Sequence, residues 1–265
     1  MAQVRAVGQP DSIMGRVSGE HWAGRLYMRH VSPYLTTWLV PTRVSADAVT
    51  WWMIFAGWAA ALALTLPGWW WALAAFLLVQ AQLLFDCADG ELARWRGTTG
   101  PRGVYLDRIG HWSTEAMLAA ALGVRADGGW SEIGGWTTLG LVVAVLALWI
   151  KGETELVHVA RYHAGLPKLD DSAEGTGERR QSMPSLLGRV RRMVDLVPFH
   201  RVLIAIEATA LAFVAAIVDA LAGGLVGTRT LVLVMLVVGV IVVVGHLLAI
   251  VTSSRLRAEA GAGAS

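Results

Sequence analysis

Apolar residues in this chain gather into long runs rather than into the narrow stripes of a water-soluble core. The runs lie at 49–66, 68–88, 103–122, 136–150, 202–222 and 228–252, and most approach the ~20 residues that an α-helix needs to cross hydrocarbon. They predict six spanning helices. The run at 136–150 is short and the one at 103–122 opens with charges, so both rest partly on the regular alternation around them. Ahead of the first run, Trp22, Leu26, Val31, Leu35 and Trp38 recur at roughly helical spacing beside Arg25, Arg29 and His30. This is the pattern of an amphipathic helix lying in a membrane interface. Pro33 interrupts it, so one helix and two short ones are equal expectations. The predicted fold is an all-α, polytopic membrane helical bundle. An N-terminal interfacial segment occupies 1–48, a six-helix transmembrane domain 49–252, and a C-terminal tail 253–265, with a long loop at 152–199 inside the domain.

Composition agrees. Of 265 residues, 55% are hydrophobic and only 16% charged, and the mean hydropathy is +0.53, more apolar surface than one soluble core of this length holds. The same figures exclude intrinsic disorder, and the glycines and prolines follow no collagen-like period. A lone cysteine, Cys87, excludes a disulfide scaffold and says nothing of compartment. The first 48 residues lack the short basic leader, apolar core and small-residue cleavage site of a signal peptide.

Net charge is +2, and its distribution points to lipid rather than to nucleic acid. Of the 22 Lys and Arg, 20 fall in the N-terminal segment, the turn after the second run, the 151–201 segment and the C-terminal tail. Only Arg125 and Arg229 fall elsewhere. This asymmetry predicts cytoplasmic termini and even-numbered turns. Trp69, Trp70 and Trp71, following Leu66-Pro67-Gly68, are expected in the aromatic belt of the opposite rim. The 151–201 segment divides into a polar piece, Asp170 to Glu178, expected as a loop, and a basic piece, Leu186 to Val197. In the latter, Leu186, Val190, Met193, Val194 and Val197 form a helical stripe with Arg189, Arg191 and Arg192 outside it, a second interfacial-helix candidate.

The chemistry is concentrated between residues 86 and 111. Asp86 and Asp89 lie three residues apart on one helix face at the inner end of the second run. Paired carboxylates at that depth repel each other and lose hydration, so they need a counter-charge, and ionisable groups so placed are functional candidates. Oxygen ligands favour a hard cation, Mg²⁺ or Mn²⁺. After a turn rich in Gly and Arg, Asp107 and His111 share a face of the third helix. A hairpin of the two helices would gather three carboxylates and one imidazole into a metal site able to grip a diphosphate.

These residues resemble the CDP-alcohol phosphotransferases, whose signature is D-x2-D-G-x2-A-R-x8-G-x3-D-x3-D. Asp86, Asp89, Gly90, Ala93, Arg94, Gly103 and Asp107 match it at the family's spacing; His111 replaces the final Asp. The resemblance implies an integral-membrane transferase that moves a substituted phosphate from a CDP-alcohol, such as CDP-diacylglycerol, to an acceptor hydroxyl and releases CMP. It implies one or two Mg²⁺ or Mn²⁺ ions on Asp86, Asp89, Asp107 and His111, and nucleotide contacts at Asp89, Gly90, Ala93, Arg94 and Gly103. Asp107 and His111 are the catalytic candidates, because the family's last carboxylate contacts metal and deprotonates the acceptor. Imidazole is suited to both tasks.

Losing a carboxylate at this position also marks the alternative, a catalytically inactive or non-enzymatic lipid- or nucleotide-binding homologue. A polytopic prenyltransferase is disfavoured, since it would carry two well-separated acidic motifs. Glu115, one turn beyond His111, is read as orienting the imidazole, as supplying the missing charge, or as a structural partner. Arg189, Arg192, Arg201 and Glu207 are candidate acceptor contacts, with cytoplasmic-side anchoring as the plainer role for the arginines. The basic segment tilts the expected acceptor, a polar or phosphorylated alcohol, toward the phosphorylated kind. Membrane lipids and, by resemblance, a second copy of the chain are the expected partners, and no nucleic acid. A bacterial cytoplasmic membrane is the expected location, with the site facing the cytoplasm. His246 is read as structural.

Overall fold

A computed structural model of the protein describes residues 1–10, 23–166, 199–253 and 256, and these are helical with no β-strand. The expected loop at 170–178 and the basic helix at 186–197, with Arg189 and Arg192, lie outside the described residues. The elements are α1 (Ala2–Gly8), a π-helical turn (Gly24–Met28), α2 (Arg29–Leu39), α3 (Ala46–Leu64), α4 (Trp69–Arg96), α5 (Pro101–Asp127), α6 (Gly135–His163), α7 (Ala205–Ala222) and α8 (Val226–Thr252). Helices α3, α4, α6, α7 and α8 are long and apolar enough to cross a membrane. The six predicted spans thus reduce to five by composition; α5 is long, with 27 residues, but carries charges along its length.

Helix ends follow local chemistry. Ser45 caps α3 by accepting the Ala48 N–H at 3.1 Å. α4 ends at Gly97 in the left-handed region (φ +64°), a conformation that costs glycine little. Pro101 opens α5 where its missing N–H has no partner to lose. Asp127 caps the next helix across the loop, taking the Gly134 N–H at 2.7 Å and the Thr137 N–H and hydroxyl at 2.8 and 2.7 Å. Asp219 does the same for α8 through the Gly227 N–H at 2.6 Å.

Arg125 and Arg229, the two basic residues outside the main clusters, are both committed to backbone carbonyls. Arg125 donates to Leu66 at 2.6 Å and Gly68 at 3.0 Å, and Arg229 donates to Ala126 at 3.0 Å while stacking over Trp136. Leu66, just past α3, and Ala126, in the last turn of α5, are among the carbonyls that lack a donor within their own helix.

The bundle packs through small residues. α5 and α6 meet where a Cβ on Gly140 would stand 2.7 Å from the Gly123 Cα and 2.8 Å from the Ala119 carbonyl oxygen. Only glycine permits that approach, and in lipid such van der Waals contact replaces the hydrophobic drive that water would provide. On α8 the outward residues Val234, Val237, Val240, Ile241, Val244, Leu247 and Leu248 are exposed, as expected of a lipid-facing surface.

At Pro33 the structure decides between the two expectations. Pro33 does not break α2; it lies inside the helix. Lacking an N–H, it leaves the Arg29 carbonyl without its usual i+4 donor, and the Gln9 side-chain amide donates there at 2.9 Å. α2 is also turned so that Ser32 and Thr36 are buried while Val31, Tyr34 and Trp38 are exposed.

Candidate metal and substrate site

α4 does not stop where its apolar run stops. It continues to Arg96, because hydrogen bonding within a helix is indifferent to the loss of hydrophobicity, and the four residues 97–100 reverse the chain into α5. The hairpin brings Asp86 of α4 against Asp107 and His111 of α5. The His111 Nε2 lies 3.4 Å from Asp86 Oδ1 and 3.3 Å from Asp107 Oδ1, and one ligand atom from each of the three residues fits within 4.8 Å of the others. Asp107 Oδ1 is buried without a hydrogen-bond partner of good geometry. Two carboxylates and an imidazole so arranged suit a divalent cation.

Asp89 lines the same cavity one turn on, but its Oδ2 accepts the Thr50 hydroxyl at 2.6 Å. The nearest three-residue ligand group is therefore Asp86, Asp107 and His111, with Asp89 held beside it by α3. Thr50 is a partner that the motif does not contain.

The cavity has a volume of about 690 Å³ and is lined by every motif position: Asp86, Asp89, Gly90, Ala93, Arg94, Gly103, Asp107 and His111. A Cβ added at Gly103 would meet nothing within 4 Å, so the backbone is open to a ligand there. The Arg94 guanidinium lies over Gly90, with Nη1 3.0 Å from where a Cβ would be, and its Nε donates to the Gly8 carbonyl at 2.6 Å. Arg96 ties the chain between α2 and α3 to the hairpin, donating to the carbonyls of Leu39, Val40, Thr42 and Val44.

Glu91 was not singled out by the motif, where its position is free. Two residues from Asp89 on a 3.6-residue helix it faces the opposite way, into a buried ring of donors: Gln9 Nε2 at 2.7 Å, the Ser32 hydroxyl at 2.5 Å and the Thr36 hydroxyl at 2.6 Å. It is 2% exposed. An extra acid between Gly90 and Arg94 was the only signal, and nothing in the sequence named its partners. Glu91→Ala removes the shared acceptor of Gln9, Ser32 and Thr36, leaving the buried Ser32 hydroxyl unmatched while Gln9 and Thr36 keep the carbonyls of Arg29 and Ser32, and is expected to cost about 2 kcal/mol. A fall in the thermal midpoint of the detergent-purified protein, smaller for Glu91→Gln, checks this; an unchanged midpoint would show the ring to be dispensable.

Glu115 does not face His111 as its main partner. Its carboxylate takes the Lys151 ammonium from α6 at 3.1 and 3.2 Å, and both residues line the cavity. Arg108 pairs with Glu155 on the same wall. Glu207 of α7 lies near Glu115 but is not among the cavity-lining residues, and neither is Arg201. His246 pairs with Glu153 at 3.0 Å, between α8 and α6.

Residues 43–161, from just before α3 to the last turn of α6, match the family model for CDP-alcohol phosphatidyltransferase. That stretch holds all of the hairpin together with Thr50, Glu115 and Lys151, and leaves α1, α2, α7 and α8 outside it. No curated protein matches the chain.

Proposed function

We propose, from the CDP-alcohol phosphatidyltransferase domain that residues 43–161 form, that this membrane protein transfers a phosphatidyl group from CDP-diacylglycerol to the hydroxyl of an acceptor alcohol, releasing CMP. The observation that carries the reading is the meeting of Asp86, Asp107 and His111 across the α4–α5 hairpin, inside a cavity that every signature residue lines.

A divalent cation, Mg²⁺ or Mn²⁺, supplies neutralising charge for the donor diphosphate and for the departing CMP. Hard cations favour carboxylate oxygens, so Asp86 and Asp107 with neighbouring Asp89 are the residues to hold it, and Nε2 of His111 is left to take a proton. Thr50 fixes the Asp89 carboxylate through its 2.6 Å hydrogen bond. Gly90, Ala93 and Gly103 let the nucleotide approach the backbone, with the Arg94 guanidinium beside them. His111 accepts the proton of the acceptor hydroxyl. The acceptor oxygen forms a bond to the phosphorus that bears the diacylglycerol, the P–O–P bridge breaks, and its electron pair leaves on CMP.

α5 is read as a sixth crossing helix, with its buried charges Glu115 and Arg125 facing the bundle rather than lipid. α2 lies in the interface with Val31, Tyr34 and Trp38 toward the acyl chains. The site faces the cytoplasm of a bacterial cell, as the basic residues around the hairpin suggest.

The test is CMP release by the purified protein with CDP-diacylglycerol and a panel of alcohols. Release is expected with Mg²⁺ or Mn²⁺, to cease with EDTA, and to fall by about 10³-fold in Asp107→Asn, the scale of losing one preorganised electrostatic contact. If no alcohol supports release and CMP fails to bind with metal present, the inactive-homologue reading replaces this one.

A further inference from the structure

The cavity extends beyond the residues that the signature explains, and what lines its far part bears on the acceptor. Gly103, Asp107, His111 and Glu115 follow one another at four-residue intervals on α5, so they form one face. Read along that face, the open backbone at Gly103 comes first, the Asp107 and His111 cluster next, and Glu115 last. An alcohol that presents its hydroxyl to His111 from the side away from the nucleotide therefore meets Glu115 and the α6 residues opposite it, Lys151 and Glu155, also four apart. None of these belongs to the signature.

Their charges are already matched. Lys151 places its ammonium 3.1 and 3.2 Å from the two oxygens of Glu115, and Arg108 pairs with Glu155. Glu115 is only 5% exposed, and a carboxylate so enclosed holds its cation strongly, since separating the two would leave one charge buried alone. Glu207 adds a further carboxylate near Glu115. A phosphate dianion is bound by cations in excess, and among the described residues this wall has two cations and at least as many carboxylates. What it does offer is N–H donors beside carboxylate acceptors, the pairing that adjacent hydroxyl groups of a polyol satisfy.

We infer that the Lys151–Glu115 and Arg108–Glu155 pairs form the acceptor subsite, and that the acceptor is an uncharged polyhydroxy alcohol rather than a phosphorylated one. This rests on the transferase reading above and differs from the phosphorylated acceptor suggested by the basic segment, whose Arg189 and Arg192 lie outside the described residues. Lys151 and Glu115 position the alcohol; the bond-making step remains at His111.

The experiment measures CMP release at saturating CDP-diacylglycerol and Mg²⁺ with glycerol and inositol, with their monophosphates, and with serine as an amino alcohol. A free polyol is expected to be used at least about tenfold more efficiently than its phosphate, because a phosphate would break the pairs and leave a buried carboxylate unmatched. Lys151→Met and Glu115→Gln are expected to raise the KM for the polyol about tenfold and leave the KM for CDP-diacylglycerol within about twofold, with Lys151→Arg restoring most of the loss. Metal-dependent CMP binding serves as the check that each variant is folded. Glu155→Gln, on a more exposed pair, tests the same wall should the buried substitutions not yield folded protein.

Preference for a phosphorylated or amino acceptor overturns the inference while leaving the transferase intact. So does a variant effect that falls on the donor KM instead. Absence of release with every acceptor, together with absence of CMP binding, overturns the transferase reading and this one with it.

Discussion

His111→Ala is expected to slow CMP release by about 10²–10⁴-fold, the range that a positioned general base contributes, while CMP still binds in the presence of metal. The imidazole stands between two carboxylates, 3.4 Å from Asp86 and 3.3 Å from Asp107, and alanine leaves only those carboxylates, which are the groups assigned to the cation. His111→Asp separates chemistry from ancestry. An aspartate there completes the family signature and adds a negative charge beside Asp86 and Asp107. It is expected to retain activity well above the alanine variant and to bind metal more tightly. Steady-state rates and metal titrations of the three proteins read this out. Full activity in His111→Ala would remove the base from this position and move the role to a neighbouring carboxylate of α5, Asp107 or, at the cost of its ion pair with Lys151, Glu115.

Gly123→Val is expected to be strongly destabilising although it lies away from the cavity. A Cβ at Gly123 would sit 2.6 Å from the Trp136 carbonyl oxygen and 2.9 Å from the Gly140 Cα. Both obstacles are backbone, so no rotamer change relieves them and α5 and α6 must move apart. Overpacking of this kind costs about 3 kcal/mol, and it also withdraws contact from the helix that carries Asp107 and His111. Loss of monodisperse protein on detergent extraction, or a steep fall in thermal midpoint, is the expected result. Gly245→Ala is the control, since a Cβ there meets nothing within 4 Å and glycine inside a helix costs about 0.5–1 kcal/mol relative to alanine. If Gly123→Val is as stable as that control, the close contact of the two helices carries no weight.

Much of the bundle was legible because a helix surrounded by lipid is apolar on every side, and that signal is strong in any window. Helix ends were less so. The runs at 68–88 and 136–150 became helices at Trp69–Arg96 and Gly135–His163, since hydropathy reports where lipid ends and hydrogen bonding reports where the helix ends. Pro33 left one helix and two short ones as equal expectations because a proline removes one donor; the side chain of Gln9, 24 residues earlier, takes up the carbonyl that this frees. In the site, spacing alone set Asp86 beside Asp89 and Asp107 beside His111, and the short turn implied that the pairs would meet. Thr50 on Asp89, the ring around Glu91 and the Lys151–Glu115 pair were not legible, because a hydroxyl or an ammonium contributed by a distant helix leaves no periodic trace.

The ring around Glu91 has a consequence for how the chain is made. Its donors at Gln9, Ser32 and Thr36 precede the acceptor by 82, 59 and 55 residues, so the ribosome has delivered all three well before the carboxylate exists. Until α4 emerges, these three donors lack their shared acceptor, and afterwards one buried carboxylate engages all of them. The part of the cavity wall that comes first in the sequence therefore cannot be completed until α4 has been made.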